Sequence, residues 1–317
     1  MAGTNRSLLL AVAGVFLLAL LLPLFISGYG IRILNLAFIS AIVVIGLNFA
    51  FGYAGLITLA QAAFVGCGAY VTAILTTSAG FSPWLSIPLA TAFGGVFGVG
   101  IGLPILRLKG HYLALATLGL NVSFGIVATN WKSLMGGTDG ISGIPALTMG
   151  SFSLGTDHRY FYVLWVALVA ATWVAWRIRI SHVGLAMIAV RDDEIATATS
   201  SVDVTRIKVQ AFALSAVYAA LAGALFAHMT NFVAPDDFAL SQSIVYLAML
   251  IIGGEGSIIG AIAGAIIVTF MPELMRDLGS AYMIFFGCLM LLILIFLPKG
   301  LLSLVALLGR RFGTARL

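Results

Sequence analysis

Long apolar runs alternate with short polar breaks along this whole chain. The runs centre near residues 8–27, 32–51, 57–77, 84–106, 112–130, 160–178, 209–230, 239–253, 257–271 and 281–297. A helix needs roughly 20 mostly apolar residues to cross a hydrocarbon core of about 30 Å. Lipid offers no partner to open backbone groups, so helices must make the crossing. The pattern predicts an all-α membrane protein. It is a polytopic bundle of about 10 transmembrane helices, some of them short or re-entrant, in a single domain spanning 1–317. The first run, Leu8–Ile26, follows Arg6 and has the look of a signal peptide. It is about span length and lacks a small-x-small cleavage site, so it reads as a retained helix.

The stretch 239–271 needs a break. As one helix its 33 residues would rise about 50 Å, far beyond the core. Gly253-Gly254-Glu255-Gly256-Ser257 interrupts it, so it reads as two short spans or a re-entrant hairpin. Either form returns the chain to the side it started from.

Composition agrees with the pattern. The chain is 62% hydrophobic and 9% charged, against about 25% charged in soluble domains, and its mean hydropathy is +1.14. A net charge of +5 would raise nucleic acid as a partner in a soluble protein. Here the basic residues sit between spans and report orientation instead. With the N-terminus inside, Arg6, Arg107, Lys109, Arg177, Arg179, Arg191, Arg206, Lys208, Lys299, Arg310, Arg311 and Arg316 fall on the cytoplasmic side, 12 of the 16. Arg32, Lys132, Arg159 and Arg276 fall outside. Both termini are therefore expected in the cytoplasm. Cys67 and Cys288 each lie within an apolar run and read as packed side chains, not a disulfide.

Two loops are long. The outer one, about 131–159, holds Gly136-Gly137-Thr138-Asp139-Gly140-Ile141-Ser142-Gly143-Ile144-Pro145, whose glycines and Asp-Gly step predict tight turns. It reads as a structured cap, or as a docking surface or gate for whatever delivers solute. The inner one, about 179–208, carries Arg191-Asp192-Asp193-Glu194-Ile195-Ala196. Acids at a helix start suit the positive end of its dipole, so a short helix at the cytoplasmic face is expected, as a solvated connector or a contact. Inside the spans, Gly94, Gly95, Gly98, Gly100 and Gly102 share one helix, and Gly260 and Gly264 form a GxxxG. Such positions let helices approach closely.

Catalytic motifs are missing. A phosphate loop needs Gly-Lys-Ser/Thr, but Lys109, Lys132, Lys208 and Lys299 follow Leu, Trp, Ile and Pro. His111, His158, His182 and His228 lie on separate segments without metal-ligand spacing. A membrane-embedded enzyme would cluster His, Asp or Glu at one depth, and none do. Glu255 is the main charge near a span; it is either functional or hydrated at the cytoplasmic surface. A proton-driven carrier would show buried acids or histidines near the midplane. The neutral polar residues Asn48, Thr58, Gln61, Thr117, Asn121 and Ser123 serve as interhelical glue or line a path for a small polar solute. A transport bundle with neither motor nor ion relay must receive its energy from elsewhere, and the inner loop is where it would arrive. A secondary carrier or channel is the competing reading.

Four ordered segments resemble the branched-chain amino-acid ABC permeases of the LivM type: Asn48–Tyr70, Gly110–Leu120 (GHYLALATLGL), Gly136–Pro145 (GGTDGISGIP) and Gly184–Ala227, within a resemblance over roughly 31–300. The resemblance implies that Arg191, Asp192, Asp193, Glu194, Ile195 and Ala196 dock into an ATPase subunit. It implies a homologous second permease, two ATP-binding subunits that hold the ATP, a periplasmic substrate-binding protein, and alternating access driven by the motor. No cofactor is implied in this chain itself. It places Gly137, Thr138, Asp139 and Gly140 where the binding protein docks, and leaves Asn48, Gln61, Thr117 and Asn121 as candidate path residues. Gln61 stands where the family often has His, His111 where an acid is common, and Ser200-Ser201-Val202-Asp203 replaces a Met-Gly-Ile-Asn-like step. The solute implied is a branched-chain amino acid, with amides, urea or aromatic acids as alternatives in related permeases.

Overall fold

The computed structural model describes residues 27–108, 110–149 and 152–274, together with 23 and 287. The expected spans near 8–27 and 281–297 lie outside the described residues, as do both chain ends, Lys109 and Cys288. α1 runs from Gly28 to Leu47 and continues as a π-helical turn, Asn48–Tyr53. α2 (Gln61–Thr77), α3 (Pro83–Ile105) and α4 (His111–Asn130) follow. A one-turn α5, Lys132–Met135, leads into a 3-10 turn, Gly137–Asp139, and three two-residue strands, β1 (Ile141–Ser142), β2 (Thr148–Met149) and β3 (Phe152–Ser153). Then come α6 (Asp157–Arg179), α7 (His182–Asp192), α8 (Glu194–Thr199) and α9 (Val204–Thr230). β4 (Phe232–Val233), a 3-10 turn (Pro235–Phe238), α10 (Leu240–Gly253) and α11 (Ile258–Leu274) complete the described chain.

Among the described residues six helices are long and apolar enough to cross a membrane: Gly28–Tyr53, Pro83–Ile105, His111–Asn130, Asp157–Arg179, Val204–Thr230 and Pro235–Gly253. Gln61–Thr77 and Ile258–Leu274 are shorter apolar helices. The expected span 57–77 is therefore four residues shorter as a helix, because 55–60 is irregular backbone. Gly55 at φ +68° turns the chain there, a conformation that favours glycine. The break expected in 239–271 is present at Gly254–Ser257, with α10 and α11 on either side.

α1 and α9 form the centre. α1 is apolar on every face, and such a helix buries itself all round; it packs against α6, α9 and α11, while α9 also packs against α2 and α3. α3, α4 and α6 instead keep apolar side chains outward, including Val96, Leu115, Ile126, Val166 and Trp173, as a lipid-facing surface requires. The bundle has two distinguishable ends. Arg191 meets Gly52 and Glu255 where α1 and α10 finish, which defines a basic end. Pro145 meets His228 where α9 finishes, which defines a loop end.

Missing side chains set the closest approaches. A Cβ on Gly68 of α2 would lie 2.1 Å from the Ala220 carbonyl oxygen, and one on Gly223 of α9 would lie 1.9 Å from that of Val65. Gly94 and Gly98 turn the same face of α3 onto Ala220 and Ala216 of α9, whereas Gly100 faces open space. The GxxxG pair closes the α10–α11 hairpin: Gly260 lies on the Gly253 carbonyl and Gly264 on that of Met249, an antiparallel pairing. Overpacking a close contact of this kind costs about 1–3 kcal/mol or more. Gly68→Val and Gly223→Val are expected to lower the thermal unfolding midpoint in detergent by several degrees, and Gly100→Ala to leave it unchanged or slightly raised. Equal effects from all three, measured by scanning fluorimetry, would contradict this packing scheme.

Candidate functional site

A polar junction lies midway along the bundle. α2 begins inside the protein, where its first N–H groups have no intrahelical partner. Side chains from other helices supply them. Thr117 Oγ1 accepts the Leu59 N–H at 3.0 Å, Ser243 Oγ accepts that of Ala62 at 2.8 Å, and Asn121 Oδ1 accepts that of Ala63 at 2.8 Å. Asn121 also takes the Ser243 hydroxyl at 3.2 Å and donates Nδ2 to the Phe238 carbonyl at 3.4 Å. Beside it, Gln61 donates to the carbonyls of Val43 and Ser215 and accepts the Ser215 hydroxyl at 3.0 Å. Asn121, Ser215 and Val43 lie well inside α4, α9 and α1, so this junction is far from both ends.

Gln61, Thr117 and Asn121, three of the four residues picked from sequence as a path, are thus brought together, buried and hydrogen-bonded. Asn48 is not with them. It sits in the π turn at the basic end, where its Oδ1 accepts the Gly256 N–H at 2.8 Å. Ser123 is exposed on the outer face of α4. The sequence reading missed Ser215 and Ser243; single serines in apolar runs were the available signal, but nothing local tied them to α2.

At the basic end, α7 and α8 form a corner, with α7 packed against the π turn, α6 and α9. Asp193 is the N-cap of α8: Oδ1 accepts the N–H groups of Ile195 and Ala196, each at 2.9 Å. Glu194 pairs with Lys208 of α9 at 2.7 Å. Arg191 turns inward to the Gly52 carbonyl and the Glu255 carboxylate. Asp192, Ile195 and Ala196 remain exposed, and Ile195, at 80% exposure, presents a bare apolar side chain to solvent.

At the loop end the long loop is a structured cap. β1 pairs antiparallel with β4, and β2 with β3. Asn231, at φ +57°, donates to the Ile144 carbonyl at 2.7 Å, and Trp84 donates to that of Thr148 at 2.8 Å. His228 joins the loop to the bundle through Nδ1 and the Pro145 carbonyl at 2.8 Å, with Thr72 and Ser86 on Nε2. Gly137 is buried and Gly140 lies against the Val233 carbonyl. Thr138 and Asp139 project outward.

Toward the loop end, among α1, α2, α9, α10 and α11, lies a pocket of about 600 Å³. Its apolar wall comes from Leu36 and Ile39 of α1, Val65 of α2, Phe226 of α9, Val245 and Met249 of α10, and Val268 of α11; Ser40, Asp236, Asp237, Gln242, Tyr246 and Thr269 add polar groups. Its size and mixed lining suit a small molecule with one charged and one greasy end. Thr269 Oγ1 has no hydrogen-bond partner among the described residues. Among the described residues no group of three or more His, Cys, Asp or Glu gathers as a metal site would require.

The family model described as branched-chain amino acid transport system, permease component, matches residues 29–295. The high-affinity branched-chain amino acid transport system permease protein LivM of Salmonella typhimurium is 35% identical, over 92% of this chain and 75% of its own length. LivM of Escherichia coli is 34% identical, over 93% and 75%. The ribose import permease protein RbsC of Haemophilus influenzae is 24% identical, over 99% and 95%. No solved structure matches the chain significantly.

Removing a buried acceptor leaves its donor unpaired, at about 1–3 kcal/mol. Asn121→Leu strands the Ala63 N–H and the Ser243 hydroxyl, so it is expected to destabilise the protein in detergent more than Thr117→Val, and Ser123→Val to have little effect. A melting series in which Asn121→Leu matches Ser123→Val would refute the junction.

Proposed function

We propose, from the premise that this chain belongs to the family of branched-chain amino acid transport permease components, that it is the membrane-spanning permease subunit of an ATP-driven importer. Its solute on this reading is a branched-chain or similarly hydrophobic amino acid. The LivM relatives carry that name over most of this chain's length. The mixed cavity agrees with it, because Asp236 and Asp237 would attract an ammonium group while Ile39, Val65, Val245 and Met249 would take a branched side chain. Amides, urea and aromatic acids remain alternatives of the same architecture; a secondary carrier or channel is the alternative of another class.

The basic end would face the cytoplasm, following the arginine and lysine bias, and the membrane would be the bacterial inner membrane. A homologous permease would complete the bundle, and two ATP-binding subunits would sit below it and bind the nucleotide. A periplasmic binding protein would deliver solute to the loop end, near Thr138 and Asp139. The exposure of Ile195 is the observation that carries the docking assignment. An apolar side chain bared on a short, capped helix is the kind of anchor a partner pocket buries. Two neighbouring acids are engaged elsewhere: Asp193 caps α8 and Glu194 pairs with Lys208. Arg191 and Asp193 are exposed too but their side chains are committed within the chain, so the contact falls to Asp192, Ile195 and Ala196.

Coexpression with the ATP-binding subunits tests this. Ile195→Asp is expected to reduce the copurifying ATPase by about tenfold, as loss of a central anchor does, with unchanged insertion and melting temperature. Asp193→Ala, which removes a cap worth about 1 kcal/mol, is expected to weaken assembly less. Full ATPase recovery with Ile195→Asp, or solute uptake that needs no ATP, would overturn the docking role.

A further inference from the structure

We infer that Arg191 is a positioning residue of the transport cycle, a strut that carries movement of the α7–α8 corner to two breaks in the membrane helices. The inference rests on the reading of α8 as the ATPase contact. Arg191 is the penultimate residue of α7, two before the Asp193 cap, so any displacement of α8 moves it. Its guanidinium does not face the docking surface. One nitrogen donates to the Gly52 carbonyl at the end of the α1 π turn, and the other pairs with Glu255 in the α10–α11 loop.

The backbone beneath is shaped to receive this side chain. A Cβ on Gly55 would lie 3.2 Å from Arg191 Cγ, and one on Gly256 would lie 3.8 Å from its guanidinium. Both glycines hold positive φ, +68° and +76°, which favours glycine at both breaks; only at Gly55 would a Cβ also crowd the arginine, the Gly256 distance being ordinary contact. The two breaks touch each other independently. Asn48 Oδ1 holds the Gly256 N–H at 2.8 Å, and a Cβ on Gly52 would fall 2.8 Å from that same nitrogen. The corner, the end of the central helix and the hairpin loop therefore converge on one side chain.

The chemistry suits a moving part. A planar fork serves a carbonyl and a carboxylate together, which a lysine ammonium does poorly. The ion pair is about one-third exposed on each side, and pairs so exposed are weak enough to open and reform. π turns recur at functional sites in helices, and this one ends α1, the helix on which α6, α9 and α11 all pack.

The test uses the whole importer in proteoliposomes, with both permeases, the ATP-binding subunits and the binding protein. Arg191→Gln and Glu255→Gln are each expected to keep ATPase copurification within about twofold of the parent while raising ATP hydrolysed per solute imported by roughly two- to fivefold, the scale of a part-exposed pair. The double variant is expected to be no worse than Arg191→Gln alone, because that substitution already removes the Glu255 pair along with the Gly52 contact. Arg191→Lys is expected to fall between parent and Arg191→Gln. An unchanged coupling ratio in Glu255→Gln overturns the strut, as does loss of ATPase binding in Arg191→Gln with none in Glu255→Gln, which would make Arg191 a docking residue. Ile195→Asp in the same preparation reads the docking assignment separately: if it loses ATPase while the Arg191 and Glu255 variants keep the parental ratio, docking stands and the strut falls.

Discussion

Backbone N–H groups inside an apolar bundle have no water to turn to, and most of this structure's polar chemistry answers that constraint. α2 starts within the protein, so its leading donors need acceptors. Thr117, Asn121 and Ser243 reach in from α4 and α10 to provide them. The buried start of α2 therefore fixes its placement against two others, α4 and α10. The break between α10 and α11 is settled differently. It lies at the basic end, where Asn48 takes one donor and the partly exposed Glu255 meets Arg191.

Close packing supplies what hydrogen bonds do not. Helices in lipid gain nothing from hiding apolar surface, so contact distance decides how firmly they hold. Glycine and alanine line the seams among α2, α3 and α9, and Gly260 and Gly264 line the seam of the hairpin. Two tyrosines pin the same framework: Tyr160 donates to the Leu225 carbonyl at 2.7 Å and Tyr218 to that of Ala171 at 2.8 Å, both joining α6 to α9. The mid-depth junction is thus surrounded by helices that cannot slide without breaking backbone-level contact.

Hydropathy made the helical architecture legible, length called for a break in 239–271, and the glycine-rich Gly253–Ser257 located it. The late start of α2 was not legible. Its irregular lead, Leu56–Ala60, is as apolar as a span, and the acceptors that permit it lie 58 to 181 residues away. Site residues were legible by type and not by place. Asn48 looks like Asn121 in sequence, yet they serve opposite parts of the bundle. The six residues from Arg191 to Ala196 read as one docking motif, while the structure divides them among a cap, two ion pairs and a bare surface. Whether a charged residue here pairs or stays free depends on Lys208 and Glu255, which no local pattern announces.

The polar contacts also differ in strength by position, which bears on what can move. At mid-depth they are buried and mutually satisfied, and such networks are rigid because opening one bond strands a donor. At the basic end the pairs are partly exposed, so water can replace a lost partner at small cost. A transport cycle driven from the basic end would therefore leave the junction of α2, α4 and α10 intact and carry it as a unit. The bending would fall where contacts are cheap to exchange, at the π turn, the glycine breaks and the α7–α8 corner. That division follows from the hydrogen bonds themselves and does not depend on which solute passes.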